Sequence, residues 1–194
     1  MGMGEPLLNY TNGLKSIERI TAGDGLNMAP KRITVSTAGI AKMIHKLGDD
    51  EVKFNLALSL HAANDEKRNK IMPINERNSL DALADALNHF GDKTGSRVTF
   101  EYIVFNGFND ELIDAQELEE FCRRVKAKVN LIEYNQIDGN EFENTSDDKM
   151  KSFYSYLADR GIIVNLRRSR GKDIDAACGQ LANKNEHAVV KLKK

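Results

Sequence analysis

Apolar positions along this chain follow two alternating rhythms. Short runs rich in β-branched and aromatic residues alternate with longer stretches in which apolar residues recur every three or four positions. The first rhythm fits a pleated strand and the second an amphipathic helix. Leu14, Ile17 and Ile20 open the series with a helical stripe, although Gly13 weakens its start, and Gly23 and Gly25 close it. Arg32 to Thr37 (RITVST) then predicts a strand, and Ile40, Met43, Ile44 and Leu47 predict a helix that stops at Gly48. Lys53 to Leu60 (KFNLALSL) predicts a second strand. Ser79 is placed to cap a helix carrying Leu80, Leu83, Leu87 and Phe90, with Gly91 at its end. The Val, Phe, Tyr and Ile of Arg97 to Phe105 (RVTFEYIVF) suit a buried pleated surface. Asn109 or Asp110 is placed to cap the next helix, whose stripe is Leu112 or Ile113, Leu118, Phe121, Cys122 and Val125. Lys128 to Ile132 reads as a short strand. Ser146 starts a further helix with Asp147 and Asp148 at the positive end of its dipole and Met150, Phe153, Tyr154 and Leu157 on its buried side. Ile162 to Leu166 is the last clear strand, Asp173 to Leu181 a short final helix, and residues 183–194 a polar tail.

This βα rhythm runs through residue 182 without a linker that would divide it. Helices of this length supply the crossovers that a parallel sheet needs, so the fold class is α/β. Both an open doubly wound sheet and a βα barrel, whole or partial, satisfy the pattern. Both bind ligands at the carboxyl ends of their strands. That rule singles out Ser36 and Thr37, Ser59, Leu60 and His61, Glu101, Asn130, Asn135, and Arg167 with Arg168.

Composition narrows the function class. Twenty-eight basic residues against twenty-nine acidic ones give a net charge of -1, which excludes binding to nucleic acid by bulk charge but not through a local patch. Such a patch exists in sequence: Arg160, Arg167, Arg168, Arg170 and Lys172, with no acid between the first and the last. The same run is also what a solvated face looks like. The chain has two cysteines, Cys122 and Cys178, too few for a zinc or iron–sulfur site of their own, and its residues suggest no metal site. No apolar run is long enough to span a membrane, and MGMGEPLLNY lacks the basic start and apolar core of a signal peptide, so a cytoplasmic protein is expected.

Individual residues leave alternatives open. Gly2 and Gly4 permit close backbone approach to a ligand and Glu5 offers a carboxylate, yet the spacing is neither a P-loop nor a dinucleotide fingerprint. Ser59 and His61 share a strand face if extension continues, but no nucleophile elbow surrounds the serine. His45 and His89 read as structural. Cys122 lies on a helical stripe and reads as core. Cys178, in DIDAACGQL, has small neighbours that leave it able to face a ligand; Arg168, Arg170 and Lys172 favour a thiolate and Asp173 and Asp175 do not, and a buried packing residue is the other reading.

Taken together, MGMGEPLLNY (1–10), RITVSTAGI (32–40), NLALSLHAANDEKRNKIMPIN (55–75), RVTFEYIVFNGFND (97–110), VNLIEYN (129–135) and GKDIDAACGQL (171–181) resemble the carboxyl-terminal part of a radical S-adenosylmethionine RNA methyltransferase. The resembled family methylates carbon 2 of adenine in 23S ribosomal RNA and transfer RNA, and a related branch methylates carbon 8. The resemblance implies a partial, TIM-like (β/α) barrel over residues 1–182, truncated at its N-terminus. It implies S-adenosyl-L-methionine contacts at Gly4, Glu5, Ser36, Ser59, Leu60, His61 and Asn135, with Glu5 on the amino group. It makes Cys178 the methyl-carrying cysteine, and the basic stretch of the sequence offers Arg167, Arg168, Arg170 and Lys172 as candidate RNA contacts. In the family a [4Fe-4S] cluster generates a 5'-deoxyadenosyl radical that activates the methylated cysteine. The cluster-binding CxxxCxxC motif does not occur in this sequence. The chain is therefore expected to be inactive alone, or to act as a module that binds S-adenosylmethionine or RNA without turnover. A barrel lacking its first strands is also expected to self-associate or rearrange near residues 1–30.

Overall fold

The computed structural model describes residues 4–135 and 141–167. Five strands form one parallel sheet: β1 (Thr34–Thr37), β2 (Asn55–Ser59), β3 (Val98–Val104), β4 (Ala127–Glu133) and β5 (Val164–Arg167). The helices are α1 (Tyr10–Thr21), α2 (Ala41–Asp49), α3 (Asp65–Ile71), α4 (Leu80–Thr94), α5 (Leu112–Arg124) and α6 (Asp147–Asp159). Short 3-10 turns occupy Pro6–Asn9, Pro30–Arg32 and Pro73–Arg77.

Strand order decides between the two architectures left open by the sequence. The strands lie side by side in chain order, β1 to β5. A doubly wound sheet reverses its order to place helices on both faces, whereas unreversed right-handed crossovers leave every helix on one face. The result is an arc of βα barrel. Leu56 and Leu58 of β2, Phe100 and Tyr102 of β3, and Val129 and Leu131 of β4 are fully buried on the convex, helix-covered side. They meet Ile44 and Leu47 of α2, Leu83, Leu87 and Phe90 of α4, Leu118 and Phe121 of α5, and Phe153 and Leu157 of α6 in one core. Ring contacts such as Phe100 with Phe121, 5.3 Å between centroids, join strand to helix. Among the described residues the outer edge of β1 pairs with no further strand.

The sequence reading located these elements to within a few residues and missed one helix. Asn64 caps α3 by accepting the Lys67 N–H at 2.8 Å. The helix is too short and polar (DEKRNKI) to show an apolar stripe, and its one wholly buried side chain is Arg68. The cap of α5 is Glu111, not Asn109 or Asp110. Its N–H donates to Asp114 Oδ2 at 3.1 Å. Asn109 and Asp110 are occupied elsewhere: Asn109 Oδ1 accepts the Phe105 N–H at 2.6 Å, and Asp110 accepts from Gly107 N–H and the Thr145 hydroxyl.

The turn from β1 into α2 depends on Gly39, whose φ of +106° is a conformation that side chains resist. A Cβ there would also approach Leu58 Cδ1 to 3.0 Å and Leu83 Cδ2 to 3.1 Å. Gly39→Ala is expected to destabilise the fold by about 1–3 kcal/mol, read as a lower urea midpoint at unchanged slope.

Candidate functional site

Alternation along the strands puts a second set of side chains on the concave side, where no helix among the described residues covers them. These are Ser36 of β1, Ser59 of β2, Thr99, Glu101 and Ile103 of β3, Lys128, Asn130 and Ile132 of β4, and Asn165 and Arg167 of β5. An ordinary barrel interior is filled by bulky branched residues. This wall is largely polar. Ser59, Glu101, Asn130 and Asn165 stand in register across four strands. Asn165 Nδ2 donates to Asn130 Oδ1 at 3.1 Å, and Asn130 Nδ2 donates to Glu101 Oε1 at 2.8 Å. Glu101 Oε2 is buried and accepts no hydrogen bond among the described residues, with Arg167 Nη1 3.6 Å away. The wall thus presents a carboxylate oxygen able to accept a ligand's N–H or O–H.

The strand ends are braced by a continuous set of hydrogen bonds. Glu5 caps the Pro6–Asn9 turn by accepting the Leu7 N–H at 3.0 Å. The same carboxylate accepts from the Thr37 hydroxyl at 2.8 Å and the Ala38 N–H at 2.6 Å, tying the Gly4–Glu5 segment to the carboxyl end of β1. Arg68 carries the brace onward. Its guanidinium donates to the carbonyls of Ala38 (2.7 Å), Ser59 (3.1 Å) and Leu60 (3.1 Å) and to Asn75 Oδ1. Burial pushes its pKa down to about 10, so it stays charged near neutrality. The backbone N–H groups of Leu60 and His61 then donate to the Glu101 carbonyl, joining β2 to β3.

His61 leaves the strand. Its φ of +57° ends the extension, so Ser59 and His61 are not neighbours on one strand face, contrary to the sequence reading. Asn109 Nδ2 holds this bend by donating to the carbonyls of His61 (2.7 Å) and Ile103 (2.8 Å). The Ile103 N–H donates to His61 Nδ1 at 3.2 Å, so the neutral ring carries its proton on Nε2 as a donor. Burial, helped by the positive charge of Arg68, pushes the imidazole pKa down to about 4.

Gly4, Glu5, Ser36, Ser59, His61 and Arg167 therefore share one end of the sheet. Asn135 is buried just beyond the end of β4. Leu60 differs: its side chain lies in the core, and its backbone N–H and carbonyl are both engaged. Cys178, Arg168, Arg170 and Lys172 lie outside the described residues. Cys122 is buried against the core of α5, and burial pushes its thiol up to about 12, which fits a packing role. Asn109 reads in sequence as a cap, and Arg68 lies in the short polar helix that apolar periodicity does not reveal. Their signal in sequence was only proximity to the strand ends. No helix among the described residues is long and apolar enough to cross a membrane.

Two outcomes follow. Arg68→Met keeps volume but leaves buried carbonyls without donors, and is expected to cost about 3 kcal/mol or more, with no rescue by Arg68→Lys, in urea unfolding. His61 binds protons more weakly in the folded chain (about 4) than in the unfolded one (about 6.5). The unfolded state holds more protons between those values, so stability rises with pH across that window and is lost on acidification. The slope between about pH 4 and 6.5 should be shallower in His61→Gln.

No protein-family model matches the chain. Curated relatives match nearly all of it. A probable dual-specificity RNA methyltransferase RlmN from Cytophaga hutchinsonii is 66% identical over 184 residues, covering 95% of this chain and 50% of that protein. Its namesake from Flavobacterium psychrophilum is 55% identical, covering 95% and 53%. The chain thus spans about half the length of these relatives. A radical SAM methyltransferase from Sphaerobacter thermophilus superposes with a TM-score of 0.89 at 39% identity, over 93% of this chain and 53% of that one. A domain of a pyruvate-formate lyase-activating enzyme from Bacteroides vulgatus, 13% identical, shares the fold alone, with a TM-score of 0.64 over 86% and 96% of the two chains. High identity along almost the whole chain, together with the same arc of barrel, makes this chain similar to about half of a radical S-adenosylmethionine RNA methyltransferase.

Proposed function

We propose that the concave wall is one side of an S-adenosylmethionine-dependent site that methylates carbon 2 of adenine in 23S ribosomal RNA and transfer RNA. The observation that carries this reading is the row of polar side chains at the carboxyl ends of the strands, braced through Arg68 to Glu5. The residues fit S-adenosylmethionine. The Glu5 carboxylate accepts three hydrogen bonds, and a carboxylate has about four acceptor positions, so one is left for an ammonium group. Gly4 brings bare backbone beside it. Ser36, Ser59 and Asn135 offer hydroxyl and amide groups for ribose, adenine and carboxylate, and His61 offers its Nε2–H. Leu60 acts only by anchoring the backbone between Ser59 and His61, because its side chain is in the core and its polar groups are engaged.

When bound, S-adenosylmethionine supplies the methyl group. Cys178 accepts it on sulfur, and neighbouring Arg168, Arg170 and Lys172 favour the thiolate. Those residues and Arg167 also suit the phosphates around an adenine displaced from its stack. The residues present do not fit a [4Fe-4S] cluster: the sequence has two cysteines, and Cys122 is a core residue. The chain by itself binds without turnover. The open edge of β1 supports its completion by further strands or by a second copy.

In a full-length enzyme carrying this sequence, Cys178→Ala should abolish methyl transfer while S-adenosylmethionine affinity, measured by calorimetry, is kept. Glu5→Ala should weaken that affinity about tenfold or more, the loss of a charge-assisted hydrogen bond. Nuclease digestion and mass spectrometry should find 2-methyladenosine. Turnover by Cys178→Ala, or 8-methyladenosine as product, would overturn the corresponding part of the reading.

A further inference from the structure

The convex side holds a constellation that the methyl-transfer reading does not use. His45 and Asp49 lie one turn apart on α2, and His89 reaches them from α4. The two imidazoles stack, with centroids 3.6 Å apart and planes 7° from parallel. Both address one carboxylate: His89 Nε2 is 2.7 Å from Asp49 Oδ1, and His45 Nδ1 is 3.2 Å from Asp49 Oδ2. One ligand atom from each of the three residues lies within 4.8 Å of the other two. The convergence is built into the helix packing. A Cβ on Gly48 would come within 2.7 Å of His89 Cδ2 and 3.1 Å of Phe90 Cα, so only glycine lets α4 bring its ring across α2.

We propose that His45 Nδ1, His89 Nε2 and a carboxylate oxygen of Asp49 form a binding site for a divalent first-row transition-metal ion. Imidazole with carboxylate is a donor set that suits zinc, copper or nickel. Three protein ligands with a water in the fourth position give the open tetrahedral arrangement. Ligand bonds of about 2.1 Å in a tetrahedron place donor atoms about 3.4 Å apart; the imidazoles stand 2.7 and 3.2 Å from the two different Asp49 oxygens, and one donor atom of each residue lies within 4.8 Å of the others. An imidazole donates in its ring plane, so binding requires both rings to turn out of their stack toward the ion by rotation about their side-chain bonds. A groove of about 710 Å³ lined by Ala41, Lys42, His45, Asp49 and Asp85 gives the ion access from solvent. Lys46 lines the same groove, but its ammonium is held on Asp50, 3.2 Å away, and Asp50 also accepts the Tyr10 hydroxyl.

The site's position defines its role. From β1, α2 runs back toward the start of β2, so Asp49 lies at the end of the sheet opposite Glu5 and His61. The ion clips α2 to α4 and stabilises the arc without touching the concave wall. Binding stabilises the folded state by mass action, since unfolding separates residues forty positions apart in sequence.

Zinc chloride titrated into the full 194-residue chain should give one saturable site by calorimetry and raise the unfolding temperature. Cobalt(II) should give the visible absorption of a tetrahedral site. His45→Gln, His89→Gln and Asp49→Asn should each weaken zinc binding about tenfold or more. His45 and Asp49 are exposed, so those two variants keep the metal-free fold. No saturable binding at millimolar zinc would overturn the proposal. So would binding that all three variants leave unchanged, which would assign the zinc to other residues such as Cys178 or His187. Neither result bears on the methyltransferase reading.

Discussion

A single buried cation holds together the ends of the first two strands. Parallel strands that stop at the same level leave their last carbonyls pointing out of the ladder, and three of these, from Ala38, Ser59 and Leu60, converge on the guanidinium of Arg68. Buried carbonyls without donors are costly, and a buried charge without partners more so. Each resolves the other here. Asn75 completes the set and is itself held by Asp65 and Asn69, so the short polar helix α3 exists to seat one arginine. Everything proposed for the concave wall, from Glu5 to His61, assumes that these ends do not move.

With the ends fixed, the wall can stay polar and open. Its asparagines hydrogen-bond to one another and to Glu101, so that each group has a defined direction before a ligand arrives. Preorganised dipoles of this kind need no rearrangement when charge or hydrogen-bonding groups appear beside them. The neutral ring of His61, with its Nδ1 occupied by a backbone N–H, presents a fixed donor at neutral pH.

The parts of the fold that were legible in sequence are those governed by apolar period. Val98, Phe100, Tyr102 and Val104 alternate cleanly and became β3, while Ser79 and Ser146 cap α4 and α6 as read. The strand-end rule singled out Ser36, Ser59, Glu101, Asn130 and Arg167, all of which stand on the concave side of the sheet. What failed were polar residues with long-range work to do. Asn109 looked like a cap and instead holds the bend at His61, forty-eight residues away. Arg68 carries no signal of its own in sequence, since burial of an arginine depends on acceptors from other strands. His45 and His89 looked unrelated, because helix packing across Gly48 joins them, and no local spacing encodes it.

The sequential strand order has an evolutionary consequence. Each βα unit sends one residue set into the common core and a separate, alternating set to the wall, with the sheet between them. Glu101, Asn130 and Asn165 can be exchanged for other polar side chains without disturbing a single convex packing contact. Such a scaffold lets recognition change, one strand at a time, while the convex core stays the same.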